Sequence, residues 1–183
     1  MSEVLIYVVN FVLQILGFLF VLRFLLQACR VDFYNPISQG IVKATDIFLR
    51  PVRLVVPGYK NLDLASFVAA VVVHILLLAA LAGLSDGGLG LVPMLASSVL
   101  AVILLNLFIL KWSILIAIIA SWIAPGNYHP ALALLHQITE PVLAPARKLL
   151  PALGGLDLSP ILVFLILGVV ERLLPQMFAG LMS

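Results

Sequence analysis

Four stretches of this chain are long and apolar enough to cross a lipid bilayer, and that leaves little choice of fold. Inside hydrocarbon every backbone amide and carbonyl must find a partner within the protein, so spanning segments are helices or closed barrels. Apolar runs of about twenty residues without two-residue alternation read as helices. They are Val4 to Leu22 with a flank to Ala28, Leu64 to Leu84, Pro93 to Ile123, and a run entered at Asp157, Ser159 and Pro160 that continues to about Met177. Hydrophobic residues make up 64% of the 183, charged ones 10%, and the mean hydropathy is +1.26. No soluble surface tolerates that balance. The first run is preceded by Glu3 rather than by a basic cluster and is followed by no Ala-x-Ala site, so it is expected to be a retained span and not a cleaved signal peptide. The expected class is an all-α membrane protein with four transmembrane helices.

The chain also aligns with itself without a gap. Tyr34 falls on Tyr128, Pro36 on Pro130, Thr45 on Thr139, Pro51 on Pro145, Arg53 on Arg147, Pro57 on Pro151 and Leu62-Asp63-Leu64 on Leu156-Asp157-Leu158, all at one offset of 94 residues, with Asp46 on Glu140. Self-similarity of this kind marks tandem units. The expected organisation is a first repeat over 1–84 with a surface helix at 36–56, a connector over 85–92, and a second repeat over 93–183 with a surface helix at 130–150.

The surface helices follow from spacing. Ile37, Ile41, Ala44, Phe48, Val52 and Val55 recur at three- and four-residue steps, while Ser38, Gln39, Lys43, Asp46, Arg50 and Arg53 take the other side. The second copy repeats the pattern with Ala131, Leu135, Ile138, Val142, Ala146 and Leu149 apolar. Both read as amphipathic helices lying along a membrane surface. Pro51, and in the second copy Pro141 and Pro145, are expected to bend or end them, because proline lacks the amide hydrogen and crowds the carbonyl four residues back.

Arg30, Lys43, Arg50, Arg53, Lys60, Arg147 and Lys148 all fall in the segments after the first and third spans, and the loop between the second and third spans has no basic residue. By the positive-inside rule both surface helices are cytoplasmic and both termini lie outside. Two spans separate the copies, which therefore run parallel, related by an axis along the membrane normal.

The chemistry is sparse. Nothing here has the spacing of a nucleophile with its base, a metal cluster or a Gly-rich phosphate loop, so no enzyme and no cofactor are expected. Cys29 is the one cysteine and reads as a buried, inert thiol. The net charge of +2 is too small and too scattered for nucleic acid. His74 sits within a span and reads as an interhelical hydrogen-bonding group more readily than as a haem or metal ligand. Arg53 with Asp63 and Arg147 with Asp157 share a spacing of ten residues, so each arginine can fold back over the Asp that caps the following span. That pairing serves as a structural anchor. A functional alternative joins the two copies' cations across the axis into one vestibule for an anionic headgroup or an ion. Lys111, about 18 Å of helix from the end of its span, needs a partner or water at that depth. A pair with Glu171 would require nearly equal depth.

Thr139-Glu140-Pro141, Pro145, Arg147-Lys148, Pro151 and Gly154-Gly155-Leu156-Asp157-Leu158-Ser159-Pro160 resemble the signature of the YggT family of bacterial membrane proteins, which also includes the YlmG proteins of cyanobacteria and plastids. The first copy is similar but has Ile47, Leu54, Lys60-Asn61 and Ala65-Ser66 where the signature has proline, a second basic residue, Gly-Gly and Ser-Pro. The resemblance implies a bacterial inner-membrane protein linked to osmotic-stress tolerance and ion uptake, or to cell or plastid division and nucleoid distribution. One plastid branch is tied to haem attachment on a b-type cytochrome. Two functions from different classes follow. One is a non-enzymatic scaffold that acts on the lipid bilayer or on membrane and division proteins through its surface helices. The other is a small channel or transporter subunit, which with four spans needs a homo-oligomer to build a path. Help with cytochrome assembly is a third reading.

Overall fold

Residues 2–82, 90–123, 129–150 and 157–182 are described in this computed structural model. Tyr128, Pro151, Gly154, Gly155, Leu156 and most of the 85–92 connector lie outside them. The described residues form six helices: α1 (Ser2–Ala28), α2 (Pro36–Val55), α3 (Leu64–Ala82), α4 (Leu91–Ile123), α5 (Pro130–Leu149) and α6 (Ser159–Met182). Among these, α1, α3, α4 and α6 are long and apolar enough to cross a membrane. Helix α1 packs mainly on α3 and α4 on α6, while α3 against α4 joins the repeats. The short helices α2 and α5 touch each other at one end of the bundle, and their bounds differ by the repeat offset of 94.

Matching caps start the equivalent helices. Asn35 Oδ1 accepts from the Ile37 amide at 2.9 Å ahead of Pro36, and His129 Nδ1 accepts from the Ala131 amide at 3.2 Å ahead of Pro130. Proline at the first helical position costs nothing, since that amide has no partner within the helix. Asp63 Oδ1 accepts from the Ser66 amide at 3.4 Å, and Asp157 Oδ1 accepts from the Ser159 amide at 2.9 Å, at the starts of α3 and α6. Helix α1 ends in a Schellman motif. The Val31 amide donates to the Leu26 carbonyl at 2.9 Å, Arg30 takes the left-handed conformation at φ 55°, and Val31 and Leu26 are buried in one cluster.

Asn35 has a second task. Its Nδ2 donates to the Pro130 carbonyl at 2.8 Å, and the Asp32 amide donates to Gln137 Oε1 at 2.9 Å, so the first repeat's elbow is tied to α5. Asn35→Ala should lower stability by about 1–2 kcal/mol through the lost cap and tie. Asn35→Ser keeps a capping oxygen and loses the tie, so thermal unfolding of the two variants separates the contributions.

One expectation about the surface helices changes. Neither is ended by its prolines: α2 runs four residues past Pro51, and α5 contains both Pro141 and Pro145. The reason lies in exposure. All three prolines are exposed, as are Ile47, Gln137 and Pro141, whose carbonyls lose their donors, so headgroups and water can take the place of the missing amides. Of the apolar stripe of α2 only Ile41 is buried. Ser38, Ile41, Thr45 and Leu49 are buried against the bundle, and Ile37, Phe48 and Val55 remain exposed, turned about a quarter of the helix away. In α5 the stripe is partly covered, because Ile138 packs in the cluster that holds Val31 and Ile41 of the first repeat. The two surface helices are thus equivalent in sequence pattern and unequal in burial.

Candidate functional site

The polar chemistry gathers where α2 and α5 meet the spans. In each repeat one arginine bridges an acid seven residues earlier on its own helix and the Asp ten residues later. Arg53 Nη1 lies 3.2 Å from Asp46 Oδ1 and Nη2 lies 2.5 Å from Asp63 Oδ2. Arg147 Nη1 lies 2.8 Å from Glu140 Oε2 and Nε lies 3.0 Å from Asp157 Oδ2. Thr45 Oγ1 donates to the Ile41 carbonyl at 2.7 Å, and Thr139 Oγ1 to the Leu135 carbonyl at 2.9 Å. So the surface helix is held to the following span at a fixed angle in both copies. Pro145 and Lys148 are exposed on α5 beside this cluster.

The first copy contains a residue that its spacing did not single out. Arg23, one turn inside the end of α1 and 5% exposed, enters the cluster from below. Its Nη1 donates to the Val42 carbonyl and to Thr45 Oγ1, each at 2.8 Å, its Nη2 donates to Asp46 Oδ1 at 3.0 Å, and its Nε lies 3.5 Å from Asp63 Oδ2. In the sequence it passes for a basic flank of the first span. The available signal was its place within the apolar run, where a cation requires a partner. The repeat offset places Ala117 at the equivalent position.

Electrostatics follow the contacts. Burial would raise the Asp63 carboxyl, but hydrogen bonds from Arg53 and Ser66 and the Arg53 charge hold it below the ordinary carboxylate value. Asp46 is likewise opposed by burial and held low by Arg50, Arg23 and Arg53. Hydrogen bonding by Ser159, with Arg147, lowers Asp157 against the effect of burial, and Asp157 and Glu140 in turn raise Arg147. Carboxyls held low in the folded state contribute stability that is fully present above the ordinary value of about 4 and is lost as pH falls through their folded values. Stability should therefore fall as pH drops below about 4. Asp63→Asn, less stable throughout, should show a shallower acid limb in pH-resolved thermal unfolding.

Deeper in the bundle, Lys111 Nζ lies 2.7 Å from Glu171 Oε2. Lys111 stands twelve residues before the end of α4 and Glu171 twelve residues after the start of α6, so both are about 18 Å from the same end. Glu171 is thus at the depth of Lys111. His74 Nδ1 lies 3.3 Å from Ser98 Oγ, an interhelical contact between α3 and α4. Cys29 Sγ donates to the Ile138 carbonyl at 3.4 Å, and burial pushes its thiol up, away from a reactive thiolate. Among the described residues no group of three His, Cys, Asp or Glu side chains converges on a metal position. Arg53 and Arg147 each pair within their own repeat, and Lys111 is not brought to either of them.

These features define a polytopic α-helical membrane protein built from two repeats of span, surface helix and span. The chain belongs to the CCB3/YggT family, which matches it twice, over residues 2–84 and 96–178. It is 44% identical over 177 residues to an uncharacterized protein of Pseudomonas aeruginosa, covering 93% of this chain and 90% of the relative. An uncharacterized protein of Vibrio alginolyticus, encoded in the proC 3' region, is 40% identical over 150 residues, covering 79% of each chain. The uncharacterized protein YggT of Escherichia coli strain K12 is 31% identical over 166 residues, covering 90% of this chain and 86% of the relative. No solved structure matches the chain.

Proposed function

We propose that this protein is a non-enzymatic scaffold of the bacterial inner membrane, with α2 and α5 lying in the cytoplasmic leaflet and both termini periplasmic. They act there on lipid packing or on membrane partners, in osmotic-stress tolerance or cell division. The observation that carries this reading is the position of α2: an apolar stripe left exposed at Ile37, Phe48 and Val55 on a helix clamped by Arg53 between Asp46 and Asp63. A stripe held at a fixed angle just outside the spans is placed to wedge into the headgroup region. Further support comes from two polar pairs that join the spans. Lys111 meets Glu171 and His74 meets Ser98, where a solute path would present a continuous polar stripe.

Proteoliposomes decide between scaffold and channel. The scaffold reading expects no ion flux above protein-free vesicles under an imposed osmotic load, and vesicle binding or reshaping that weakens in Phe48→Asp. Flux abolished by Lys111→Ala would replace it with the channel reading.

A further inference from the structure

The two repeats differ most where one is filled by a charged side chain and the other is hollow. In the first repeat the guanidinium of Arg23 occupies the space between α1, α2 and the start of α3. At the equivalent place in the second repeat, Ala117 leaves a cavity of about 520 Å³ between α4, α5 and the start of α6, lined by Ala117, Trp122, His136, Thr139, Arg147 and Asp157 among others. Each group that holds Arg23 has a counterpart at the offset of 94, three of them on residues that line this cavity and the fourth, Glu140, paired with Arg147 of its wall. The Val42 carbonyl becomes that of His136, Thr45 becomes Thr139, Asp46 becomes Glu140 and Asp63 becomes Asp157.

The charge balance differs in the same sense. Asp46 and Asp63 are met by three guanidiniums, Arg23, Arg50 and Arg53, whereas the ion pairs of Glu140 and Asp157 among the described residues are both with Arg147. The Asp63 side chain is 3% exposed and that of Asp157 is 43% exposed, so the second cluster is open to entry. The reverse exchange occurs deeper in the bundle. Lys111 and Glu171 fill the second repeat where Gly17 and Leu77 line a cavity of about 350 Å³ in the first. Filled and hollow positions therefore alternate between the copies, and the cavity at Ala117 is the hollow form of a site whose filled form binds a guanidinium.

We infer that the second repeat binds a cation with N–H donors, a guanidinium or primary ammonium group, in the cavity beside Ala117, Thr139 and Asp157. The cation donates to Thr139 Oγ1 and the His136 carbonyl and supplies the positive charge that Arg23 supplies in the first repeat. The apolar wall of Ile114, Ile118 and Leu143 suits a short hydrocarbon stem like that of an arginine. A quaternary ammonium has the charge and no N–H, so it is excluded. Two sources share this chemistry: a soluble guanidino or amino compound, and the ammonium headgroup of an aminophospholipid.

The test uses the full chain in phosphatidylcholine nanodiscs, whose headgroups carry no N–H, in a Trp112→Phe background that leaves Trp122 in the cavity wall as the only tryptophan. Methylguanidinium and methylammonium at low millimolar concentration should give a saturable change in Trp122 fluorescence and a rise in Tm. Tetramethylammonium should give neither. Thr139→Val should weaken the apparent affinity about tenfold, the loss of one hydrogen bond to a charged donor. Ala117→Arg should abolish the response while raising the ligand-free Tm, because the guanidinium is now built in. Ala117→Leu should abolish it by filling the space without charge. Nanodiscs containing phosphatidylethanolamine assign the source: competition with methylguanidinium in the parent and not in Ala117→Arg points to the lipid, and no competition points to a soluble cation. A response unchanged by both Ala117 variants, or equal for tetramethylammonium, overturns the proposal.

Discussion

Arg23→Ala is expected to be among the most damaging single substitutions in this chain, lowering the free energy of unfolding by about 3–5 kcal/mol. The side chain is 6% exposed and reaches four groups: the Val42 carbonyl, Thr45 Oγ1, Asp46 and Asp63. Removing it leaves Asp63, 3% exposed, with Arg53 as its remaining cation, and opens a hole at the joint of three helices. Desolvation makes the asymmetry. Two charges brought out of water together are roughly balanced by their attraction, but one left behind bears the full cost. Because Arg53 still reaches Asp63, the loss should fall toward the lower end of that range. Arg23→Lys should recover part of it, since an ammonium restores the charge but cannot span the threonine, the carbonyl and two carboxylates at once. Thermal or denaturant unfolding in nanodiscs checks this. A loss below about 1 kcal/mol would mean that the cluster is hydrated and behaves as a surface ion pair.

Much of this architecture could be read before any coordinates, and the unread part has physical reasons. Span boundaries were legible because hydrocarbon admits few sequences, and the paired arrangement of Arg53 with Asp63 and Arg147 with Asp157 was legible because it occurs twice at one spacing. The face that α2 presents to the bundle was not. In water an apolar stripe marks the buried side, but beside lipid both lipid and protein accept apolar groups, and the small polar Ser38 and Thr45 can face the bundle while Phe48 faces outward. Arg23 escaped for the opposite reason to the paired arginines: it has no copy. Repetition finds what two halves share, whereas the positions that separate them, Arg23 against Ala117 and Lys111 against Gly17, stand out only when the aligned halves are subtracted. The Lys111 and Glu171 register was present in the sequence as equal distances of twelve residues from the α5 end of their helices, but equal depth does not say which neighbour each helix turns its charge toward.

Lys111→Met should destabilise the fold by about 3–5 kcal/mol, and the double variant Lys111→Met with Glu171→Met should return most of that loss. Each side chain is 27% exposed and the pair sits about 18 Å from the α5 end of the bundle, deep within the span. There neither charge has water to fall back on. Removing Lys111 alone leaves a carboxylate that must either draw water into the bundle or take up a proton, and both cost free energy. Removing both replaces an ion pair with two flexible apolar side chains of similar length, an exchange that is often neutral or stabilising for buried pairs. Lys111→Glu with Glu171→Lys should likewise recover part of the loss that either reversal causes alone, because the contact survives with its sign inverted. The sign of the double-mutant coupling is the decisive quantity, measured by unfolding in nanodiscs of fixed composition. Additive losses in the Met pair would show that Lys111 and Glu171 are stabilised separately by other groups. Strong coupling would make the pair a brace between α4 and α6, at the position where the first repeat has a cavity lined by Gly17 and Leu77.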